Sequence, residues 1–541
     1  MCGIFGSFSS ETPEYKQLAL DNLSARGPDK KSSFELNNIT LGFTRLAING
    51  IHDGDQPFVM NDEMGKDENG NLILICNGEI YNYRELYQYV DTKPTTHSDC
   101  EIILHLYKQY GIEQTLNLLH GVYAFILLDM REVEHVVYIA RDVFGVRPLY
   151  QQGHRFASEM KGLIVFESTE PILPFPPATC HRYVLPMRVN AKWVFQDAFT
   201  HYHLPQPHQQ LNCSIQTLYT QISTSLYQAV ERRVHTTERP IACLLSGGLD
   251  SSLITAMVSH ILKKDGKQVN TFSIGMPEGE DLRYARMVAE HIGSNHHEII
   301  LSEPEFINAI PNVIYAIESY DTTSVRASVG NYLVAKYIKE YTDCKVVFNG
   351  DGSDEVCGGY MYFHYAPSSI EFDKECRRLL SEIHQFDVLR SDRSVASHGL
   401  EARTPFLDRD FVSMYLTIPC TLRNHTLDKR CEKYLLRKSI EYEMPSLLPS
   451  SVLWRKKEAF SDGVSKYTRS WYEIIQESVQ NRRFRMKYEH MPPTTNEQAW
   501  YREVWGQTYP EYSYPTQHFW MPRFVHADDA SARTLKKYHD T

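Results

Sequence analysis

The stretch LLSGGLDSS, Leu244–Ser252, closes a short apolar run, Ile241–Leu245, and opens a helix-period pattern over Ser251–Lys264. Two glycines between a strand and a helix start turn several backbone N–H groups toward one point at a helix N-terminus, which favours an anion. Ser246, Ser251 and Ser252 add hydroxyl donors. Asp250 is out of place among phosphates unless a Mg²⁺ ion lies between them. An N-cap with a glycine turn accounts for part of this pattern, but not for both glycines, the aspartate and the serines in this order. The Walker pattern GxxxxGK[ST] is absent, so this is a phosphate loop of another kind.

Outward from the loop, strands and helices alternate. A strand over Val269–Ile274, a helix over Arg283–Ile292 and a third strand over Lys345–Phe348 follow. That alternation predicts a doubly wound parallel sheet covered on both faces. At the end of the third strand stands VVFNGDGSDEVCGG, Val346–Gly359, with three carboxylates and four glycines, where such a sheet keeps its ligands. Beyond about residue 360 the pattern is mostly helical. Residues 1–200 read instead as short strands broken by turns, such as Leu72–Cys76, Ala124–Leu128 and Val136–Ala140, which suggests a sandwich. The Pro- and Gln-rich HYHLPQPHQQLN, His201–Asn212, reads as a linker. The expected division is therefore 1–200, a linker at 201–212, and 213–541, with no internal repeat.

A chain of 541 residues exceeds one core and splits into domains. Its formal charge of −11 argues against nucleic acid or an anionic membrane as partner. The eleven cysteines form no CxxC pair, which fits a reducing compartment. No run of about 20 apolar residues could span a membrane, and the start lacks a secretory signal's basic and apolar regions. A cytoplasmic protein is expected. His296-His297, followed by Glu298, are adjacent on a strand and point to opposite faces, so they are a poor metal site.

The chain begins MCGIFGSF. Packing explains Ile4, Phe5 and Phe8, but not Cys2. Removal of Met1 would leave a thiol and a free α-amine on one residue, a nucleophile with its own base. Four further stretches combine unusual residues: RGPD (26–29), TRLAIN (44–49), CNGEIYN (76–82) and HSDCE (97–101). Each alone is an ordinary turn or strand edge.

Together with Cys2 they resemble the class II, N-terminal-nucleophile glutamine amidotransferases. The loop at 244–252 resembles the pyrophosphate loop of the ATP pyrophosphatase superfamily. In this order the chain is similar to the glutamine-hydrolysing asparagine synthetases over nearly its whole length. Further matching stretches are YDTTSVRAS (320–328), GGYMYFH (358–364), LEARTPFLD (400–408), WRKKEAFSDG (454–463), PPTTNEQAWYRE (492–503) and WMPRF (520–524).

The resemblance implies an αββα sandwich followed by a doubly wound sheet with a largely helical C-terminal part. It implies that Cys2 attacks glutamine while Asn77 and the Gly78 N–H hold the oxyanion. Arg45 would take the α-carboxylate and Asp99 the α-ammonium, with Leu46, Ala47, Ile48, Asn49 and Glu79 completing the pocket. For ATP it implies Ser246, Gly247, Gly248, Asp250 and Ser251 at the phosphates, and Leu245, Ile274, Asn349 and Gly350 around adenosine. Asp250 and Asp354 would hold Mg²⁺. Asp351 takes the acidic position linked to a β-aspartyl-AMP intermediate, and Lys457 lies by the phosphates. Arg326, Ser328 and Asp354 are candidates for the phosphate or aspartate site. Glu401 and Arg403 are either supports or a structural ion pair. Ammonia would pass through an internal channel, with no organic prosthetic group, and the chain would form a homodimer.

Departures from the family pattern are Ala25, Phe43, Ser324 and Tyr365, and above all NGDGSDE in place of SGEGSDE. Asp351 is one methylene shorter than the family glutamate, which bears on the rate of aspartate adenylation. The rival reading is a relative acting on another carboxylate, such as a β-lactam synthetase, but that group usually lacks the cysteine nucleophile.

Overall fold

The computed structural model describes residues 1–531 except 10, 37, 61–71, 132–133, 187–190, 428–429, 458–462, 466–468, 485–486, 511–512 and 528. Of the stretch WRKKEAFSDG, 458–462 thus lie outside the described residues.

The first half is two stacked antiparallel sheets of six strands each. One contains β1 (Gly3–Ser7), β2 (Lys30–Leu36), β3 (Ile39–Arg45), β8 (Tyr150–Gln152), β9 (Arg155–Ala157) and β10 (Leu173–Pro174), in the order β10-β8-β9-β1-β3-β2. The other contains β4 (Phe58–Met60), β5 (Leu72–Ile80), β6 (Gly121–Asp129), β7 (His135–Arg141), β11 (Thr179–Leu185) and β12 (Val194–Thr200), in the order β12-β11-β7-β6-β5-β4. Strand alternation sorts the core into layers. In β5, Ile73 and Ile75 meet Ile4 and Leu41 between the sheets, while Leu72, Leu74 and Cys76 pack outward on Ile103 and Leu106. Those two belong to α2 (Ile102–Leu118); α1 (Pro13–Asn22) buries Ala19 and Leu20 on the opposite face, against Phe5. The layers are αββα.

From His201 to Ser214 there is no helix or strand. Then come α3 (Ile215–His235) and five parallel strands: β13 (Ile241–Leu244), β14 (Asn270–Gly275), β15 (Asn295–Ile300), β16 (Val346–Phe348) and β17 (Glu401–Arg403), ordered β15-β14-β13-β16-β17. Alternation again decides the faces. Ile241, Cys243, Val346 and Phe348 join α3, α4 (Leu249–Lys264) and α5 (Glu280–Ile292). Ala242, Phe272, Ile274 and Val347 join α6 (Glu303–Ile317), α7 (Thr322–Tyr341) and α8 (Asp387–Ala396). This is the doubly wound arrangement expected.

β15 is the strand expected to carry His296-His297, and it makes Lys345–Phe348, expected as the third strand, the fourth in chain order. β17 was not expected. β17 is three residues long and holds two charges, which hides it from any apolar pattern. Its Glu401 and Arg403 are 2% and 0% exposed, because ion pairs rather than apolar contacts bury them. The helix after the loop starts at Leu249, two residues before the expected Ser251, which brings Asp250 into its first turn.

Candidate active sites

At the N-terminus, β1 pairs with β3 in the register Gly3↔Thr44. That places Cys2 beside the residues that end β3, and its Sγ lies 3.7 Å from the Leu46 carbonyl oxygen. Burial pushes the thiol up to about 11 and the Met1 ammonium down to about 5. Met1 is itself 1% exposed. Its amine donates to the Leu400 carbonyl at 3.4 Å, so the chain start is packed against the second half.

Asn77 sits within β5 opposite Ala124. It is buried, yet neither its Nδ2 nor its Oδ1 has a hydrogen-bond partner among the described residues. A buried amide left unpaired is expensive and calls for an occupant. Beside it Gly78 is required by close approach, since a Cβ there would lie 2.8 Å from the Val122 carbonyl oxygen.

The other residues expected around glutamine converge on the same region. Arg45 at the end of β3 pairs with Asp55 at 2.8 Å and donates to the carbonyls of Asn49, Gly50 and Ile51. Asn49 Nδ2 donates to Glu79 at 2.9 Å and to Asp99 at 3.3 Å. Asp99 also accepts from the Ile80 N–H at 2.7 Å. Burial pushes the carboxyls of Asp99 and Glu79 up, and their proximity pushes Glu79 further. Arg403, from β17, pairs with Glu79 at 3.3 Å and with Glu401 at 2.8 Å.

The second site is a cavity of about 190 Å³ at the C-terminal ends of β13, β14 and β16. Its floor is the loop of Leu245–Ser251. Gly247 has φ +73°, and a Cβ there would fall 2.4 Å from the Ala285 N atom. Ser246 and Ser251 hydroxyls lie 3.0 Å apart, at the N-terminus of α4. Leu245, Ser246, Gly248, Asp250, Ser251, Ile274, Asn349, Gly350, Asp351, Asp354 and Lys457 all face this cavity.

Asp250 and Asp354 share a cation. Lys433 Nζ lies 2.6 Å from Asp250 and 2.7 Å from Asp354, and Lys457 lies 2.6 Å from Asp354 and 3.6 Å from Asp250. Burial works to raise the Asp354 carboxyl, but the two ammonium groups outweigh it and hold it far below the usual range. Asp351 accepts from Arg390 at 3.0 Å, while its buried Oδ2 has no partner among the described residues. Burial pushes its carboxyl up. Arg390 also pairs with Asp387 at 2.6 Å, and Tyr360 donates to Glu355 beside them.

Arg326 and Ser328 are not brought here. The α7 residues that face the cavity are Thr323, Ala327, Asn331 and Val334, one helical stripe. Arg326 lies a third of a turn off that stripe and pairs with Glu497 and Asp529. The Ser328 hydroxyl donates to the Ser324 carbonyl. The cations that do face the cavity include Lys433 and Arg390, which sequence reading missed. Each stands in a run of mixed charges, DKRCEK for Lys433 and DVLRSDR for Arg390, and looks the same as a solvated charge until its carboxylates are in place.

An αββα sandwich whose first residues carry a thiol, joined to a doubly wound sheet with an anion loop, defines the class: a glutamine amidotransferase fused to an ATP-pyrophosphatase-type unit. The glutamine amidotransferase domain model matches residues 1–176, and the asparagine synthase model matches residues 221–372 and 366–525. The chain is 42% identical over 574 residues to the asparagine synthetase [glutamine-hydrolyzing] of Gallus gallus, covering 99% of each. It is 41% and 40% identical to those of Pongo abelii and Homo sapiens, again covering 99% of each chain. The chain belongs to the glutamine-hydrolysing asparagine synthetase family.

Proposed function

We propose that this enzyme converts aspartate, glutamine, ATP and water to asparagine, glutamate, AMP and diphosphate. Residues 1–200 form the glutaminase unit, 201–212 the linker and 213–541 the synthetase unit. With Met1 removed, the Cys2 thiol passes its proton to its own α-amine and attacks the glutamine carboxamide. An α-amine has an ordinary value of about 7.7–8.0, and its neutral form is a competent base. The Asn77 Nδ2 and the Gly78 N–H take the developing oxyanion; the unpaired, buried Asn77 amide supports that role. Arg45 holds the substrate carboxylate and Asp99 its ammonium, with Leu46, Ala47, Ile48, Asn49 and Glu79 as the wall. The intermediate collapses to a thioester as the α-ammonium returns its proton to the leaving nitrogen and ammonia departs; water then hydrolyses the thioester, giving glutamate and the free thiol. The ammonia travels inside the protein, since in water it would be protonated and lose its nucleophilic lone pair.

At the second site, Leu245, Ile274, Asn349 and Gly350 surround the adenosine, while Ser246, Gly247, Gly248 and Ser251 hold the phosphates at the N-terminus of α4. A β-carboxylate oxygen of aspartate attacks the α-phosphorus of ATP and diphosphate departs. Ammonia then attacks the acyl carbon of β-aspartyl-AMP, and AMP departs. Lys457 and Lys433 neutralise the leaving diphosphate. Asp250 and Asp354 offer oxygen donors on either side of a cation position that Lys433 already occupies, a donor set suited to Mg²⁺, which would supply charge neutralisation on the phosphates. Asp351, whose Oδ2 has no partner among the described residues, and Arg390 face the reacting carboxylate. In the cell the enzyme works as a cytoplasmic homodimer; eleven unpaired cysteines suit a reducing compartment.

The observation that carries this reading is the Asp250–Lys433–Asp354–Lys457 cluster at the anion loop. Hydrolysis of glutamine by itself needs no polyanion site. The test is AMP release with glutamine and Mg-ATP supplied: it should require aspartate, and release independent of aspartate would defeat the assignment.

A further inference from the structure

The strand-end segment Leu46–Gly50 is held by the other half of the molecule. The Ala47 carbonyl accepts from Arg239 Nε at 2.8 Å, and the Ile48 carbonyl accepts from the Glu238 N–H at 3.1 Å. Asn49 Nδ2 donates to the Thr236 carbonyl at 3.0 Å, and the Gly50 N–H donates to Glu238 Oε1 at 2.9 Å. Four consecutive residues are thus each tied to one turn, 236–239, between α3 and β13. The Thr236 carbonyl also accepts from Arg403 Nη2 at 3.0 Å, and the same nitrogen pairs with Glu79. The turn runs directly into β13, whose far end is the anion loop.

Gly50 shows what this pinning controls. Its carbonyl accepts from the Arg45 guanidinium. Its φ is +56°, and a Cβ on it would lie 2.8 Å from the Ser98 N atom, next to Asp99. The segment is therefore a spacer wedged between the cation and the carboxylate assigned to the two ends of glutamine.

We propose that Thr236–Arg239, in the synthetase half, are positioning residues of the glutamine site. They set the separation of Arg45 from Asp99 by pinning residues 47–50, so the pocket is complete only when both halves are docked. This rests on the reading of Arg45 and Asp99 as the groups that bind glutamine. The attacking thiol, on Cys2 just ahead of β1, meets the Leu46 carbonyl, and the oxyanion donors stand on β5, whereas the turn bonds residues 47–50. Misplacing the spacer therefore affects affinity for glutamine and not the chemical step.

The test uses the full-length chain, with glutaminase activity and ammonium-driven synthesis measured side by side. The double variant Glu238→Ala/Arg239→Ala removes two side-chain bonds and should raise KM for glutamine about tenfold. Its kcat should stay within about twofold and its ammonium-driven synthesis unchanged. Glu238→Gln keeps an oxygen for the Gly50 N–H and should stay near the parent KM. An unchanged KM in the double variant overturns the proposal, and so does a parallel fall in ammonium-driven synthesis, which marks general damage to the fold. Arg45→Ala and Asp99→Asn form the control arm. If both leave KM for glutamine unchanged, the pocket assignment is wrong and the positioning role falls with it. If they raise KM while the double variant does not, only the positioning role is lost.

Discussion

The two sites solve opposite electrostatic problems. In the sandwich, the charged groups near Cys2 are already engaged: Arg45 by Asp55, Arg403 by Glu79 and Glu401, and Asp99 by the Asn49 amide. Asn77, a neutral amide, has no hydrogen-bond partner there among the described residues. In the cavity of the second half, each of two aspartates lies within 3.6 Å of both lysines. The first arrangement suits a zwitterion that acquires a single negative charge on one oxygen during reaction. The second suits a polyanion, whose repulsion must be neutralised before bonds can change. Orphan dipoles serve a transient charge, and paired ions serve a permanent one.

Separating the sites is the strongest way to test that contrast. Cys2→Ala should lower glutamine-supported synthesis by about 10⁴-fold or more while sparing synthesis from ammonium. Asp250→Ala should do the reverse, stopping AMP formation and sparing glutaminase turnover. Loss of both activities in the cysteine variant would break the two-site division.

The ion cluster gives the next largest effect. Lys433 is 2% exposed, and Lys433→Ala leaves two carboxylates facing each other with one cation fewer. It should lose about 10²-fold or more in AMP formation and destabilise the fold by about 3 kcal/mol. Calorimetry with pyrophosphate-exchange kinetics reads both, and a variant with unchanged Tm would show that the pair is not structurally coupled.

In the sandwich, Asn77→Ala should cost about 10²–10³-fold in glutaminase kcat with little change in KM. Because the side chain has no hydrogen-bond partner among the described residues, its removal should leave thermal stability nearly intact. A large drop in Tm would mean that the amide has a structural partner.

The smallest effect sharpens the comparison through pH. Burial raises the Asp99 carboxyl, so on acidification it takes up a proton earlier than an ordinary aspartate and would lose the hold proposed for it on the substrate ammonium. Below that raised value, kcat/KM for glutamine should fall about tenfold per pH unit. Asp354 is held in the opposite direction by its lysines, so ammonium-driven synthesis should not lose activity through this carboxylate in the same range. Asp99→Asn should lower kcat/KM and remove that acid limb.

Legibility in the sequence follows the range of the forces involved. The anion loop could be read because its parts are neighbours in the chain: a strand, two glycines and a helix N-terminus within nine residues. The sheet could be read from period-two and period-3.6 patterns for the same reason. β17 could not, since EAR has no apolar pattern and is buried by Arg147 and Glu79 from the other half. Arg326 was expected near substrate because a lone arginine carries no mark of its partners, Glu497 and Asp529, which lie 171 and 203 residues away.

By itself the sequence determined the two folds, their order, the thiol at position 2 and the anion loop, because local pattern and backbone sterics act over a few residues. The tertiary structure alone decided which charges are paired. Lys433 stands between Asp250 and Asp354, Arg390 meets Asp351, and the turn 236–239 grips residues 47–50. Burial and Coulomb energy depend on distances in space, and the chain brings those groups together only when it folds.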